Sequence, residues 1–212
     1  MEIALTLVIA GLLGGAVLAA NEIRATARSR SLMSQADALR AAHYGFVDRY
    51  RALPGDASRA MADIPGVTVN GNGDGIVATH AGISESVAVW EHLSHAGFLA
   101  GGYRYGDGTE SLESAPRSPF GAPPRFASNN LYAAAGPVRL NLNLGNLIPP
   151  ATLAEVDRKL DDGLPNRGAI RFSPAGTVGE RPDATRCLTP DGTRWQATDS
   201  AGLNCAVSWL LQ

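Results

Sequence analysis

Residues 2–53 read EIALTLVIAGLLGGAVLAANEIRATARSRSLMSQADALRAAHYGFVDRYRAL. From Ile3 to Ala20 there is no charged side chain. Eighteen residues at a helical rise of about 1.5 Å each extend about 27 Å, close to the hydrocarbon thickness of a bilayer. The run therefore predicts a membrane-spanning helix. A cleaved secretory signal would need a basic leader region and a shorter apolar run, whereas only Met1 and Glu2 stand ahead of this one. A soluble core helix is the other alternative, and it would need apolar partners on every side.

Beyond Ala20 no proline occurs before Pro54, and Gly45 is the only glycine before Gly55, so the helix is expected to continue to about Ala52. In this second half Leu32, Ala36, Leu39, His43, Phe46, Tyr50 and Leu53 recur at alternating steps of four and three. That spacing draws one stripe on one face, which should lie against a globular body. Arg28, Asp37, Arg40, Asp48, Arg49 and Arg51 are expected on the opposite, solvated face. The result is a rod of about 75 Å, apolar at one end and amphipathic at the other.

The composition of the whole 212-residue chain agrees with a helix carrying a loop-rich body. The 24 glycines and 13 prolines are too many breakers for a helical bundle, while 45% hydrophobic content is enough to bury a core. A net charge of -2 supplies no global attraction for nucleic acid. The domain organisation expected is a transmembrane and assembly helix over 1–53 and a globular body over 54–212. Within that body, apolar positions on one face predict a helix from Ser84 to Ala100, and Arg117–Arg125, rich in proline, reads as an exposed loop. Alternation at Val138, Leu140, Leu142 and Leu144 predicts a strand within Asn130–Leu147. Thr152–Leu160 reads as a short helix opened by Pro149 and Pro150 and by a capping box of Thr152 with Glu155, and ended by Asp161, Asp162 and Gly163. Ala169–Phe172 and Cys205–Leu210 are further strand candidates. The fold class is α+β: a long helix packed on a small, mainly antiparallel sheet.

Order and motif together give a resemblance. Glu2 followed by IALTLVIAGLLGGAVLAANEIRA resembles the N-terminal region of type IV pilins and of type II secretion pseudopilins. Downstream, YRALPGD, GNGDG, VWEHLSHAGFLAGGY, KLDDGLPNRGAIR and two late cysteines resemble a bacterial subgroup of these prepilin-type proteins. The resemblance implies a pilin-like body and a basic leader ending in glycine. A prepilin peptidase would cut that leader and methylate the new N-terminus. It also implies insertion in the inner membrane with the body in the periplasm, then extraction by an assembly platform into a homo- or hetero-filament.

In such filaments Glu2 would pair with the N-terminal amine of a neighbouring subunit, because a carboxylate drawn into lipid costs about 2.5–3.5 kcal/mol and calls for a partner. The other reading is a Glu2 solvated just outside the membrane. Gly11, Gly14 and Gly15 would permit close helix approach and local unwinding. Arg24, Arg28 and Arg30, taken by the positive-inside rule alone, would place the body in the cytoplasm; basic residues in a leader would reverse that. A membrane-anchored periplasmic binding or hydrolytic domain that does not polymerise is the alternative function.

Cys187 and Cys205 are the only cysteines and form no C-x-x-C pair. They read as a disulfide contributing about 3 kcal/mol through loop closure, or as two separate buried thiols. The resemblance makes a C-terminal disulfide loop common and implies an oxidising compartment. Asn70, Asn72, Asp74 and the Ile76 carbonyl, at alternate positions around Gly75, match the start of a calcium loop, with Glu85 as a substitute for the missing glutamate at its twelfth position; a plain Asn/Gly turn is the alternative. No catalytic motif accompanies these features. His92 with His95 reads as core or surface histidine, and Asp161 with Asp162 as a helix end, so no enzymatic activity is expected.

Overall fold

The computed structural model describes residues 2–111, 113–134, 136–196 and 204–211, with side chains along the first helix at Ala20 and from Ile23 onward. Helix α1 runs Glu2–Tyr50, followed by the single turn α2 Ala60–Asp63, a two-residue hairpin β1 Thr79–His80 and β2 Ile83–Ser84, and helix α3 Glu85–His95. Strands β3 Arg125–Asn129 and β4 Arg139–Asn143 come next. Helix α4 Pro150–Leu160, strand β5 Ile170–Phe172, the short α5 Ala184–Cys187 and strand β6 Val207–Leu210 complete the described elements. Among the described residues no helix is long and apolar enough to cross a membrane, and the side chains of the 3–19 run lie outside them.

The main sheet is antiparallel throughout in the order β3-β4-β6-β5. Its register sets Phe126, Leu142, Trp209 and Ile170 in one row across the four strands. Because strand side chains alternate, that row shares one face, and it is the face turned to α1. The predicted stripe meets it there: Leu32, Ala36, Leu39, His43 and Phe46 are all buried, and they join Trp90 and Leu93 of α3 in one core. His43 stacks on Phe126 with ring centroids 5.4 Å apart.

Both edges of the sheet are closed. On β3, the Ser128 amide donates to the Val77 carbonyl at 2.8 Å and the Val77 amide donates to Ser128 Oγ at 2.9 Å. On β5, the amides of Ala169 and Ile170 both donate to Asp161 Oδ2. An edge capped in this way does not recruit another strand.

Several expectations change. The stretch expected as an exposed loop is largely covered, with Ser118, Ala122, Pro123 and Pro124 buried, and its last residue, Arg125, opens strand β3, whose Phe126 falls on the core face. Helix α3 stops at His95, five residues early, where Gly97 turns the chain with φ +81. Helix α4 starts two residues earlier than the capping box placed it: Pro149 is its N-cap, no side chain caps it, and Pro150 presets the first turn. Glu155 pairs with Lys159 instead. Val138 lies outside β4 and is exposed. Arg40, expected in solvent, folds its guanidinium over the Trp209 ring at 3.9 Å while pairing with Asp37.

Candidate functional site

The downstream motifs share one physical device, a buried acid or imidazole that accepts backbone amides and so fixes a loop. Gly55 lies where the chain after α1 crosses α3; it has φ +88, and a Cβ there would collide with the Glu85 carbonyl. Next to it Asp56, itself buried, points into the Asn/Gly-rich turn. Its Oδ1 accepts the amides of Gly73 at 2.6 Å and Asp74 at 3.1 Å, and its Oδ2 accepts Gly75 at 2.9 Å. A Cβ on Gly71 would overlap the Asp56 backbone, so PGD and GNGDG are two halves of one contact.

Helix α3 supplies the rest of this frame. Glu85 Oε1 accepts the Asn72 amide and Oε2 the Ala78 amide, each at 3.0 Å, so the turn is held from both sides. Burial pushes the Glu85 carboxyl above its ordinary range, against the opposing pull of those two amides. Glu91, fully buried, accepts the Thr68 amide and hydroxyl and the Tyr105 amide. His92 Nδ1 accepts the Gly55 amide at 2.9 Å, which puts the ring proton on Nε2, 3.0 Å from the Val69 carbonyl. Its burial holds it below the ordinary histidine range. Both ring nitrogens of His92 are thus committed to backbone, and His95 turns instead to the Pro65 carbonyl.

The same device recurs at the end of α4. Asp157, fully buried, accepts the Trp195 indole N–H at 2.7 Å and the Gly163 amide at 3.1 Å. Asp162 accepts the Leu164 amide, while Asp161 caps strand β5 as described. These three carboxylates lie within 4.8 Å of one another, the one such acidic group among the described residues. Burial pushes Asp157 up to about 6. Trp195 belongs to the segment closed by the Cys187–Cys205 disulfide, which is formed. Cys205 also bridges to Ile148 just ahead of α4, so the late segment is tied to the sheet side covalently and by hydrogen bonds.

The oxygens singled out for calcium are engaged by the turn itself. Asn70 Oδ1 accepts the Met61 amide, Asn72 Oδ1 the Asp74 amide, Asp74 Oδ1 the Ile76 amide, and Glu85 faces Asn72 and Ala78. Asn72 Nδ2 donates to the second oxygen of Asp74. The expected assembly positions Glu2, Gly11, Gly14 and Gly15 lie outside the residues whose side chains are described. Asp56, Glu91 and Asp157 were not singled out from the sequence, because an acid that will be buried looks like any surface acid. Their only signal was the glycine or aspartate beside each turn.

A cavity of about 820 Å³ lies along the 102–114 loop, lined by Tyr103, Arg104, Tyr105, Asp107 and Glu113. Its rings are already in use: Tyr105 Oη accepts the Ser84 amide, and the Tyr103 ring lies against Gly101. Comparison with protein-family models, curated proteins and solved structures returns no significant match for this chain.

Proposed function

We propose that this chain is a structural subunit of a type IV pilus or type II secretion pseudopilus filament, with a pilin-like head and an N-terminal helix as the assembly element. The observation that carries this reading is the division along α1. Its 32–46 stripe is consumed by the core of the head, while the sequence of 3–20 carries no charged side chain and is apolar all round. A helix apolar all round needs lipid or other helices. Copies related head to tail, with a rotation that does not close, supply those helices as an open filament. Before assembly the same run would sit in the inner membrane, with the disulfide-bearing head on the oxidising, periplasmic side. Self-association, an assembly platform and a prepilin peptidase are the partners this reading requires; a catalytic role is not part of it, because the buried acids described above all hold backbone.

Expressed in cells that possess an export apparatus, Glu2→Ala should insert in the membrane normally and reduce assembled filaments at least tenfold, measured as the sheared surface fraction against the membrane fraction. Normal filament yield from that variant would remove the role given to Glu2. The alternative, an anchored binding domain that does not polymerise, is favoured by the 102–114 cavity alone. It would be upheld by a wild-type protein that stays monomeric in the membrane of the same cells.

A further inference from the structure

The base of the head carries a concentration of positive charge that the assembly reading does not use. Arg24, Arg28 and Arg30 follow the apolar run at once, and all three are exposed. Between Asn21 and Ala36 the only acidic residue is Glu22. The proline-rich loop after residue 115 descends alongside them. Its Arg117 carbonyl accepts the Gln35 side-chain amide at 3.0 Å, and the Arg28 guanidinium sits 6.0 Å from the centre of the Phe120 ring. Arg117 is itself exposed, but its carbonyl sits beside Gln35, about 22 Å beyond Ala20 along the helix, above the three helix arginines. The neighbouring carboxylate on α4, Glu155, is paired with Lys159, which together with Ser29 holds it below the ordinary glutamate range. It is therefore not free to neutralise the arginines.

Position selects the partner. At about 1.5 Å per residue, Arg24 stands about 6 Å and Arg30 about 15 Å beyond Ala20 along the helix. Long guanidinium side chains at such a boundary extend toward the headgroup layer. Charges within about 8 Å of an anionic surface feel its potential with little screening at physiological salt. Guanidinium groups also bind phosphate oxygens bidentately.

We infer that Arg24, Arg28 and Arg30 form a collar that binds the phosphate headgroups of anionic phospholipids while the chain is held in the membrane. This inference rests on the reading that the 3–20 run inserts in lipid. The collar would enrich anionic lipid around the subunit before assembly, and extraction into a filament would have to break those contacts.

The test uses the full chain reconstituted in phosphatidylcholine vesicles with and without phosphatidylglycerol. Flotation with pure phosphatidylcholine reports insertion, and spin-labelled lipids report which headgroup the protein retains. The expected result is flotation in both cases, with labelled phosphatidylglycerol selected over labelled phosphatidylcholine about fivefold or more. That preference should collapse toward onefold in R24Q/R28Q/R30Q and in high salt. It should persist in R49Q/R51Q, at and just past the far end of the same helix, with Arg49 about 38 Å from Arg24. A floating wild-type chain with no headgroup preference overturns the collar and leaves the membrane reading standing; so does a preference that survives the triple substitution. Failure to float with phosphatidylcholine overturns the membrane reading and the collar with it.

Discussion

The contact between α1 and the sheet and the contact between α3 and its loops are built on opposite principles. Along α1 the interface is a stripe of side chains meeting side chains: Leu32, Ala36, Leu39 and Phe46 share one core with Phe126, Leu142 and Trp209 of the sheet and with Trp90 and Leu93 of α3. Around α3 it is a set of side chains meeting backbone: Glu85, Glu91 and His92, with Asp56, each accept one or more loop amides. The first kind of contact is graded, because apolar burial and packing scale with the area and volume involved. The second is close to all-or-none, because a buried amide without its acceptor carries the full desolvation penalty. The loops on this protein have little apolar content to compensate such a loss.

The largest effect that probes this contrast is expected at Phe46, which is fully buried and touches Tyr50, His92 and Phe98. Phe46→Ala should cost about 3–5 kcal/mol and Phe46→Leu about 1–2 kcal/mol in denaturant titrations. Equal costs for the two would break the claim that this interface is graded. Asp56→Asn comes next, at about 2–4 kcal/mol despite its nearly unchanged shape. Both Asp56 oxygens are acceptors, and an amide nitrogen in either place would face an N–H. The amides of Gly73, Asp74 and Gly75 should also lose hydrogen-exchange protection; an Asp56→Asn variant as stable and as protected as the wild type would refute the all-or-none account.

The smallest effect is a pH dependence at the second acid-held turn. Burial raises Asp157 from an ordinary value of 3.8 to about 6. A carboxyl whose pKa is raised by folding favours the native state while it keeps its proton. Its contribution is therefore full below about pH 4 and is lost as the pH rises through 6. Burial acts in the other direction on His43, lowered to about 4, and on His92, so their contribution is present above about pH 6.5 and is lost on acidification. Comparing wild type with Asp157→Asn removes the histidine background. Relative to the variant, the wild type should lose melting temperature between pH 4 and 6 and then level off. A constant difference across that range would show that Asp157 titrates normally.

The contrast also explains what could be read in advance. The α1 stripe was legible because burial of apolar residues repeats with the helical period, and every stripe position from Leu32 to Phe46 is buried. Strand β4 was legible from alternation, and β5 and β6 stood as further strand candidates. Strand β3 was not legible, since RFASN between prolines has one large apolar residue and no alternation to speak of. The start of α4 was placed two residues late because Thr152 and Glu155 satisfy the spacing of a capping box, whereas Pro149 is the N-cap and Pro150 occupies the first turn. Turn positions at 55, 71 and 73 were visible as glycines. The acids those turns enclose were not.

By itself the sequence determined the long helix, its apolar end and its buried stripe, the antiparallel strands with a strong period, and a cysteine pair spaced for a loop. These follow from local periodicity, which each segment carries whatever surrounds it. Only the tertiary structure decided which acids are inside, that PGD and GNGDG close on one another, that Arg40 lies over Trp209, and that Asp157 holds the disulfide segment through Trp195. The reason is physical: whether a carboxylate is solvated or enclosed depends on which amides reach it, and those come from residues far away in the chain.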